Sequence, residues 1–475
     1  MRAFAASSLV TLLAASDVPG QSPGPAPQPD RTALVARIDS LVGDYMDVRR
    51  APAVSVAVLR GSDTLVMKGY GLASQETRRP ATASTVYRIG SITKQFTSAA
   101  IMRLVEQGKL SLDDDLSKHV PDFPLQGHKV TIRQLLNHTS GIHSYTADSM
   151  WAKTWAQDLT PQQIVDFVAR TPFDFTPGAG YRYNNTGYVL LGMVLEKVTG
   201  QPYAAHLQRE LYTPLGLEQT SYCPSRPTDT THAAGYDVQG DIVQPAPYLS
   251  MTHPYSAGAL CSTVRDLVQW HRALTAGRVV SPASLARMTA PDTLGYSGPR
   301  LTYGYGLAPG QLQGKRSVGH GGGVHGFTSS SMYFPDDSVN VVVLTNSNGG
   351  PDPLAINIAR AVFGMPLVPL PRPPVIVALA DADRDRLPGV YDLSRLNGGV
   401  FTVHITIEQG RLMAQAEGPG QGKFPLLHLG NLRFGATMDP TLVLAFTAEG
   451  GRATKLQLTQ RGNTIEGPRR QQDGG

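Results

Sequence analysis

Residues 88–96 read R-I-G-S-I-T-K-Q-F, which places Ser91 and Lys94 three residues apart. Residues at i and i+3 of a helix share one face, so the Lys94 amine can approach the Ser91 hydroxyl. A lysine shielded from water gives up its proton and acts as a base, turning a weak hydroxyl into a nucleophile. A serine at a helix N-terminus also faces free backbone N–H groups and the positive end of the dipole, which favour an anion formed there. A plainer reading makes Ser91 a helix N-cap and Lys94 a solvated side chain. Ser-x-x-Lys alone does not separate the two, because a chain this long contains it about once by chance.

Two further stretches carry reactive residue types. Residues 180–188 read G-Y-R-Y-N-N-T-G-Y, with Tyr183 and Asn185 in Tyr-x-Asn order. A phenol can take up or relay a proton, and an Asn amide can orient a lysine and bind a substrate amide. Turn chemistry, with Tyr183 packed on the core, is the plainer reading. Residues 317–327 read S-V-G-H-G-G-G-V-H-G-F. Glycines beside His320 permit close backbone approach by a ligand, or simply a flexible hairpin. No Gly-Lys-Ser/Thr follows, which disfavours a phosphate loop. His320 and His325 lack a third ligand at readable spacing, so neither a metal nor a cofactor is expected. Gly20–Gln21–Ser22–Pro23–Gly24 fits the esterase pattern G-x-S-x-G. It has no strand before it and no helix after it, and reads as chance.

The order of the three stretches says more than any one of them: SITK, YNN about ninety residues on, and HGG about 140 beyond that. With YRIGSITK (87–94), LLNHTSGI (135–142), YNNTGYVLLG (183–192), GALCSTVRDL (258–267) and GHGGGVHGF (319–327), residues 33–365 resemble a known group. This is the serine β-lactamase and penicillin-binding-protein group, in its class C-like branch, which includes esterases and D-aminopeptidases. The resemblance implies acylation at Ser91, with Lys94 and Tyr183 sharing the base role. Asn185 would hold Lys94 and contact substrate. The backbone N–H groups of Ser91 and Gly323 would form the oxyanion hole, with Gly322 beside them. His320 stands first in the family's Lys-Thr-Gly motif, here His-Gly-Gly. A histidine is neutral or partly charged near neutral pH, which weakens attraction for a substrate carboxylate. The expected substrate is therefore a small molecule or short peptide with an amide or ester bond: a β-lactam, a D-amino-acid peptide or an ester. Carboxylesterase or D-aminopeptidase action without β-lactamase activity is one alternative. A non-catalytic sensor of cell-wall fragments is another.

Elements that position these residues are also readable. Leu34, Val35, Ile38, Leu41 and Val42 recur at helical spacing. Ala53–Leu59 and Thr64–Tyr70 predict a hairpin, and Ser331–Phe334 with Val339–Thr345 a second one. Helices are expected over 91–107, 131–137, 160–170, 187–199, 264–274 and 353–363, with turn-rich segments at 171–185 and 222–257. Strands at both ends of a largely helical region predict one antiparallel sheet closed by its termini. The expected fold is α/β of the α+β type: a β-lactamase/transpeptidase-like antiparallel sheet flanked by helices, with a helical subdomain, over residues 31–366. Proline-rich linkers are expected at 21–30 and 367–380. Residues 381–475, with period-two alternation at Phe401, Val403, Ile405 and Ile407, predict a small β-barrel. That part also resembles the lipocalin-like domain of some members of the group.

Residues 1–20 read as an export signal: Arg2, then a short apolar run, then Ala14–Ala15–Ser16. A periplasmic or secreted location follows, without stable membrane insertion. In such a setting Cys223 and Cys261 form one disulfide or remain two buried thiols, and both readings stay open. The chain has 42 Lys+Arg against 37 Asp+Glu, but no dense basic run, so nucleic acid is not an expected partner. The oligomeric state is left open.

Overall fold

Ala53–Arg60 is apolar almost without interruption, the pattern of a strand covered on both faces. In the computed structural model it lies third in a seven-stranded antiparallel sheet. The order is Arg79–Pro80, Asp63–Ser74, Ala53–Arg60, Val339–Thr345, Phe327–Phe334, Lys315–Val324, Ala308–Leu312. The structure describes residues 30–471 except 228, 241, 299–300, 371–376, 395–399, 409, 418–422, 437–441, 449–450 and 461–462. The export signal, the residue 20–24 motif and the first linker lie outside these residues, as does part of the second linker.

Ala53–Arg60 pairs with Val339–Thr345 from Val54↔Thr345 to Arg60↔Val339. The predicted sheet closed by the two ends of the region is therefore present. Alternation then sorts the side chains. Val54, Val56, Val58, Val341 and Val343 pack on Leu34, Ile38 and Val42 of the helix Arg31–Arg49 and on Leu354 and Ile358 of the helix Asp352–Val362. Ala57, Leu59, Val342 and Leu344 face the opposite way, into the core that holds Phe96, Leu190 and Trp270. That core also carries the helical subdomain, including Ile132–Leu136 and Asn185–Thr199.

Four local readings are corrected. The glycine-rich stretch is itself a strand, Lys315–Val324, paired with Phe327–Phe334 on one side and Ala308–Leu312 on the other, not a flexible hairpin ahead of one. The ladder to Phe327–Phe334 runs from Val318 to Val324 and holds the glycines extended, while Ala308–Leu312 pairs with Lys315–Gly319 on the other edge. Ser91 sits in a 3-10 turn, Gly90–Ile92, that leads into the α-helix Thr93–Glu106. The helix expected over 160–170 stops at Asp166 after a Thr160 capping box. The segment 222–257 holds a hairpin, Tyr236–Gln239 with Ile242–Pro245, and the start of a short helix, Tyr255–Gly258.

Beside the Ser91 turn lies a three-stranded sheet of Tyr87–Arg88, Leu260–Ser262 and Ser221–Tyr222. Cys223 and Cys261 are bonded across it, with Cα atoms 5.0 Å apart, so the disulfide reading holds. The C-terminal region forms two antiparallel sheets, one of four strands and one of five. They share a core that includes Tyr391, Val403, Ile405, Phe434 and Leu456. The expected strands are there, arranged as two sheets joined at one edge by a bridge between Tyr391 and Arg469. Among the described residues, no helix is long and apolar enough to cross a membrane.

Candidate active site

Gly90 takes φ +52°, and a Cβ there would stand 2.6 Å from the Gly323 nitrogen. At Gly322 a Cβ would lie 2.0 Å from the Ile89 carbonyl oxygen. Both positions must lack a side chain for the Lys315–Val324 strand to lie against the Ser91 turn. Ser329 Oγ on the neighbouring strand donates to the same Ile89 carbonyl at 2.9 Å. The backbone N–H groups of Ser91 and Gly323 thus come from two segments held in direct contact.

Lys94 follows one helical turn later and is fully buried. Its Nζ lies 3.1 Å from Ser91 Oγ, 2.8 Å from Asn185 Oδ1 and 2.7 Å from the Ala257 carbonyl oxygen. The solvated-lysine reading is excluded. So is the N-cap reading of Ser91, since the cap position of the α-helix is Ile92. Burial pushes the Lys94 pKa well below the usual lysine value. The partner set agrees with a neutral amine. The Ala257 and Asn185 oxygens can only accept, so they take its two N–H groups. The lone pair is left facing Ser91, whose hydroxyl can donate.

Asn185 opens the helix Asn185–Thr199, and the preceding Asn184 caps it by accepting from the Gly187 N–H. The cap fixes where the helix begins and so where the Asn185 amide points. Asn185 Nδ2 donates to Thr146 Oγ1 at 3.3 Å, which leaves Oδ1 turned to Lys94. The Ser91 side chain lies near enough to Tyr183 to favour its ionised form, and Lys94 Nζ lies 4.8 Å from the Tyr183 ring centre. The residue is 36% exposed. Burial raises its pKa, only partly offset by the nearby Ser91 side chain, so Tyr183 rests as a neutral phenol.

His320 stands on the Lys315–Val324 strand. Its Nδ1 lies against the Gly321 carbonyl oxygen, which can only accept, so Nδ1 carries the proton. Nε2 then accepts from the Tyr303 hydroxyl at 2.7 Å. Burial, and secondly the nearby Lys94, push the His320 pKa down to about 4. The imidazole is uncharged at neutral pH and both its nitrogens are engaged. His138 lies behind, its ring 4.4 Å from that of Tyr183 and 4.5 Å from that of Tyr303. It is 1% exposed, and burial drives its pKa well below the usual histidine range.

The structure therefore gathers Ser91, Lys94, Tyr183, Asn185, His320, Gly322 and Gly323 in one place. Cys223 and Cys261 lie behind the Ser91 turn. Among the described residues, no cluster of three His, Cys, Asp or Glu is placed to hold a metal. Sequence reasoning gave no role to Tyr303, to the Ala257 carbonyl or to His138, although His138 lies in the LLNHTSGI stretch. Tyr303 carries no motif, and a backbone oxygen has no residue-type signal.

The sequence profile of the family described as Beta-lactamase matches residues 38–364. The chain belongs to the beta-lactamase family. Penicillin-binding protein 4* of Bacillus subtilis strain 168 is 29% identical over 309 residues, 62% of this chain and 67% of that protein. The chain spans about two thirds of the length of the curated relatives it matches. An octameric penicillin-binding protein homologue from Pyrococcus abyssi superposes with a TM-score of 0.63 at 27% identity, covering 91% of this chain and 99% of that one. A D-amino acid amidase from Ochrobactrum anthropi SV3 has a TM-score of 0.62 at 27% identity over 70% of this chain and 99% of its own. The beta-lactamase-family fold is thus shared with proteins named for penicillin binding and for amide cleavage.

Proposed function

We propose that the protein is a serine hydrolase that cleaves a small amide or ester through an acyl-enzyme at Ser91. The observation that carries this is the partner set of Lys94: two fixed carbonyl acceptors and the Ser91 hydroxyl around one buried amine. In the first step the Lys94 lone pair takes the Ser91 proton as Oγ bonds to the substrate carbonyl carbon. The developing oxyanion lies between the Ser91 and Gly323 N–H groups, which need no reorganisation to receive it. As the C–O or C–N bond breaks, the leaving group collects a proton from the Tyr183 hydroxyl. Tyr183 is reprotonated from the Lys94 ammonium. Water then attacks the acyl carbon, giving its proton to the same Tyr183–Lys94 pair, which passes it to Ser91 Oγ as the acyl C–O bond breaks. Asn185 holds the amine and offers an amide to the substrate.

Amide cleavage is supported by the relatives named above. An exported location belongs to the same proposal, supported by the composition of residues 1–20 and by the Cys223–Cys261 bridge. So does the division into a hydrolase domain over 31–366 and a separate β domain over 381–475. The test is labelling by a fluorophosphonate or penicillin probe. Wild-type protein is expected to be labelled, and Ser91→Ala, still folded by circular dichroism, to be blank. Undiminished labelling of that variant rules out the nucleophile assignment.

A further inference from the structure

A cleft of about 210 Å³ opens beside Ser91. Its walls include Tyr145, Trp151, Leu249, Pro254, Val324 and His325. Among the described residues that line it, none is Asp, Glu, Lys or Arg. The walls are braced from behind. The Tyr145 hydroxyl donates to the His253 carbonyl at 2.7 Å. Trp155 packs edge-on against His325 at 4.3 Å, and Trp151 packs on Trp155 at 5.5 Å. His325 Nδ1 donates to the Pro247 carbonyl at 3.2 Å. Burial lowers the His325 pKa, so this histidine too is neutral at neutral pH.

Tyr183, His320 and Tyr303 neighbour Ser91 or one another but do not line this cleft. A leaving group that takes its proton from Tyr183 lies beside them, so the acyl part of the substrate falls into the cleft. There a charged acyl group finds no counter-ion. Lys94 is committed to Ser91, Asn185 and Ala257. Arg88 is turned to the Ser225 carbonyl at 2.9 Å, with its guanidinium over the Phe327 ring. His320 has no free N–H for a carboxylate, and no carboxylate lines the cleft to meet an ammonium. Burying an unpaired charge in such a place is strongly disfavoured. An apolar cavity of about 150 Å³ already accommodates a benzene ring.

We infer that this cleft is the acyl subsite, that it selects an uncharged aromatic or short alkyl acyl group, and that the preferred substrates are esters or amides uncharged on the acyl side. This deepens the acyl-enzyme reading and rests on it. Carboxylate-bearing acyl groups, and D-amino-acid acyl groups with a free ammonium, are poor substrates.

The test compares p-nitrophenyl esters of phenylacetate, butyrate, acetate, succinate (as the hemiester) and D-alanine, corrected for spontaneous hydrolysis, with fluorophosphonate labelling in parallel. Phenylacetyl and butyryl esters are expected to exceed succinyl and D-alanyl esters in kcat/KM by at least about 100-fold. Trp151→Ala should lower the phenylacetyl-to-acetyl ratio by at least about tenfold, with Trp151→Phe between it and wild type. Val324→Lys, at a partly exposed position on the rim, should raise the succinyl-to-butyryl ratio. Labelled enzyme that turns over the succinyl or D-alanyl ester as fast as the butyryl ester overturns the proposal. So does a Trp151→Ala variant with an unchanged ratio. Absence of both labelling and hydrolysis overturns the acyl-enzyme reading, and this proposal with it.

Discussion

Replacing Asn185 by Asp would put a carboxylate where an amide oxygen now lies 2.8 Å from Lys94 Nζ. At an effective dielectric of about 20, unit charges at that separation attract by about 6 kcal/mol. At about 1.4 kcal/mol per unit, that is roughly four pKa units. Burying the new carboxylate offsets part of this, leaving a net rise of at least about two units. Burial alone holds Lys94 as a free amine in the native protein. An amine works as a base only above its pKa, so raising that pKa moves the acid limb of the rate profile toward higher pH. Asn185→Asp should therefore move the acid limb of kcat/KM toward higher pH by at least about two units, with the loss recovered in alkaline buffer. Asn185→Ala removes an acceptor without adding charge, so its loss should persist across the profile. The assay is kcat/KM for p-nitrophenyl butyrate over the pH range, with the fold of each variant checked by circular dichroism. An Asn185→Asp profile whose acid limb coincides with that of the native enzyme would refute Lys94 as the base.

Gly322→Ala would drive a methyl group into the Ile89 carbonyl oxygen and push the strand off the nucleophile turn. The expected cost is about 100- to 1,000-fold in kcat, measured on folded variant protein. His271 is buried between Asn340 and Ser331, and burial pushes its pKa down to about 4. The unfolded chain binds a proton there from about pH 6.5 downward, so the native state is at full stability above that pH and loses up to about 3 kcal/mol by pH 4. Urea midpoints across this range should fall with acid in native protein and fall less steeply in His271→Gln, and equal slopes would disprove the assignment. The Cys223–Cys261 bridge closes a loop with a sequence separation of 38 residues. Chain entropy assigns such a loop about 4 kcal/mol. Reductant or a Cys→Ser pair should lower the melting temperature in a thermal scan, and an unchanged melting temperature would count against that contribution.

What the sequence makes legible follows the range of each signal. The strands Ala53–Arg60 and Val339–Thr345 are apolar runs bounded by turns, and they could be paired because they flank a helical region. Ser91 and Lys94 meet through one turn of chain, a distance that spacing alone encodes. The glycine-rich strand was not legible, because its extended form comes from ladder bonds to the neighbouring strand Phe327–Phe334 and not from its own residues. Tyr303 was hidden for another reason. Its partners His138 and His320 lie on other segments, and only the packed structure shows that its hydroxyl donates to His320 Nε2. The cysteine pair was left undecided for the same cause, since a three-stranded sheet built from three separate segments brings the two together.

Pairing Ala53–Arg60 with Val339–Thr345 also sets a timetable for synthesis. The earlier strand leaves the ribosome long before its partner exists, and at typical elongation rates the wait is on the order of tens of seconds. During that interval its apolar faces have no sheet neighbour on one side, so the nascent chain depends on folding helpers or on its own helices for cover. Ser91 is made early as well, whereas Gly323 follows more than two hundred residues later. Until that strand docks, the hydroxyl has no second amide to receive an oxyanion. On the mechanism proposed above, the unfinished polypeptide is expected to be chemically silent, with reactivity appearing only on completion of the sheet.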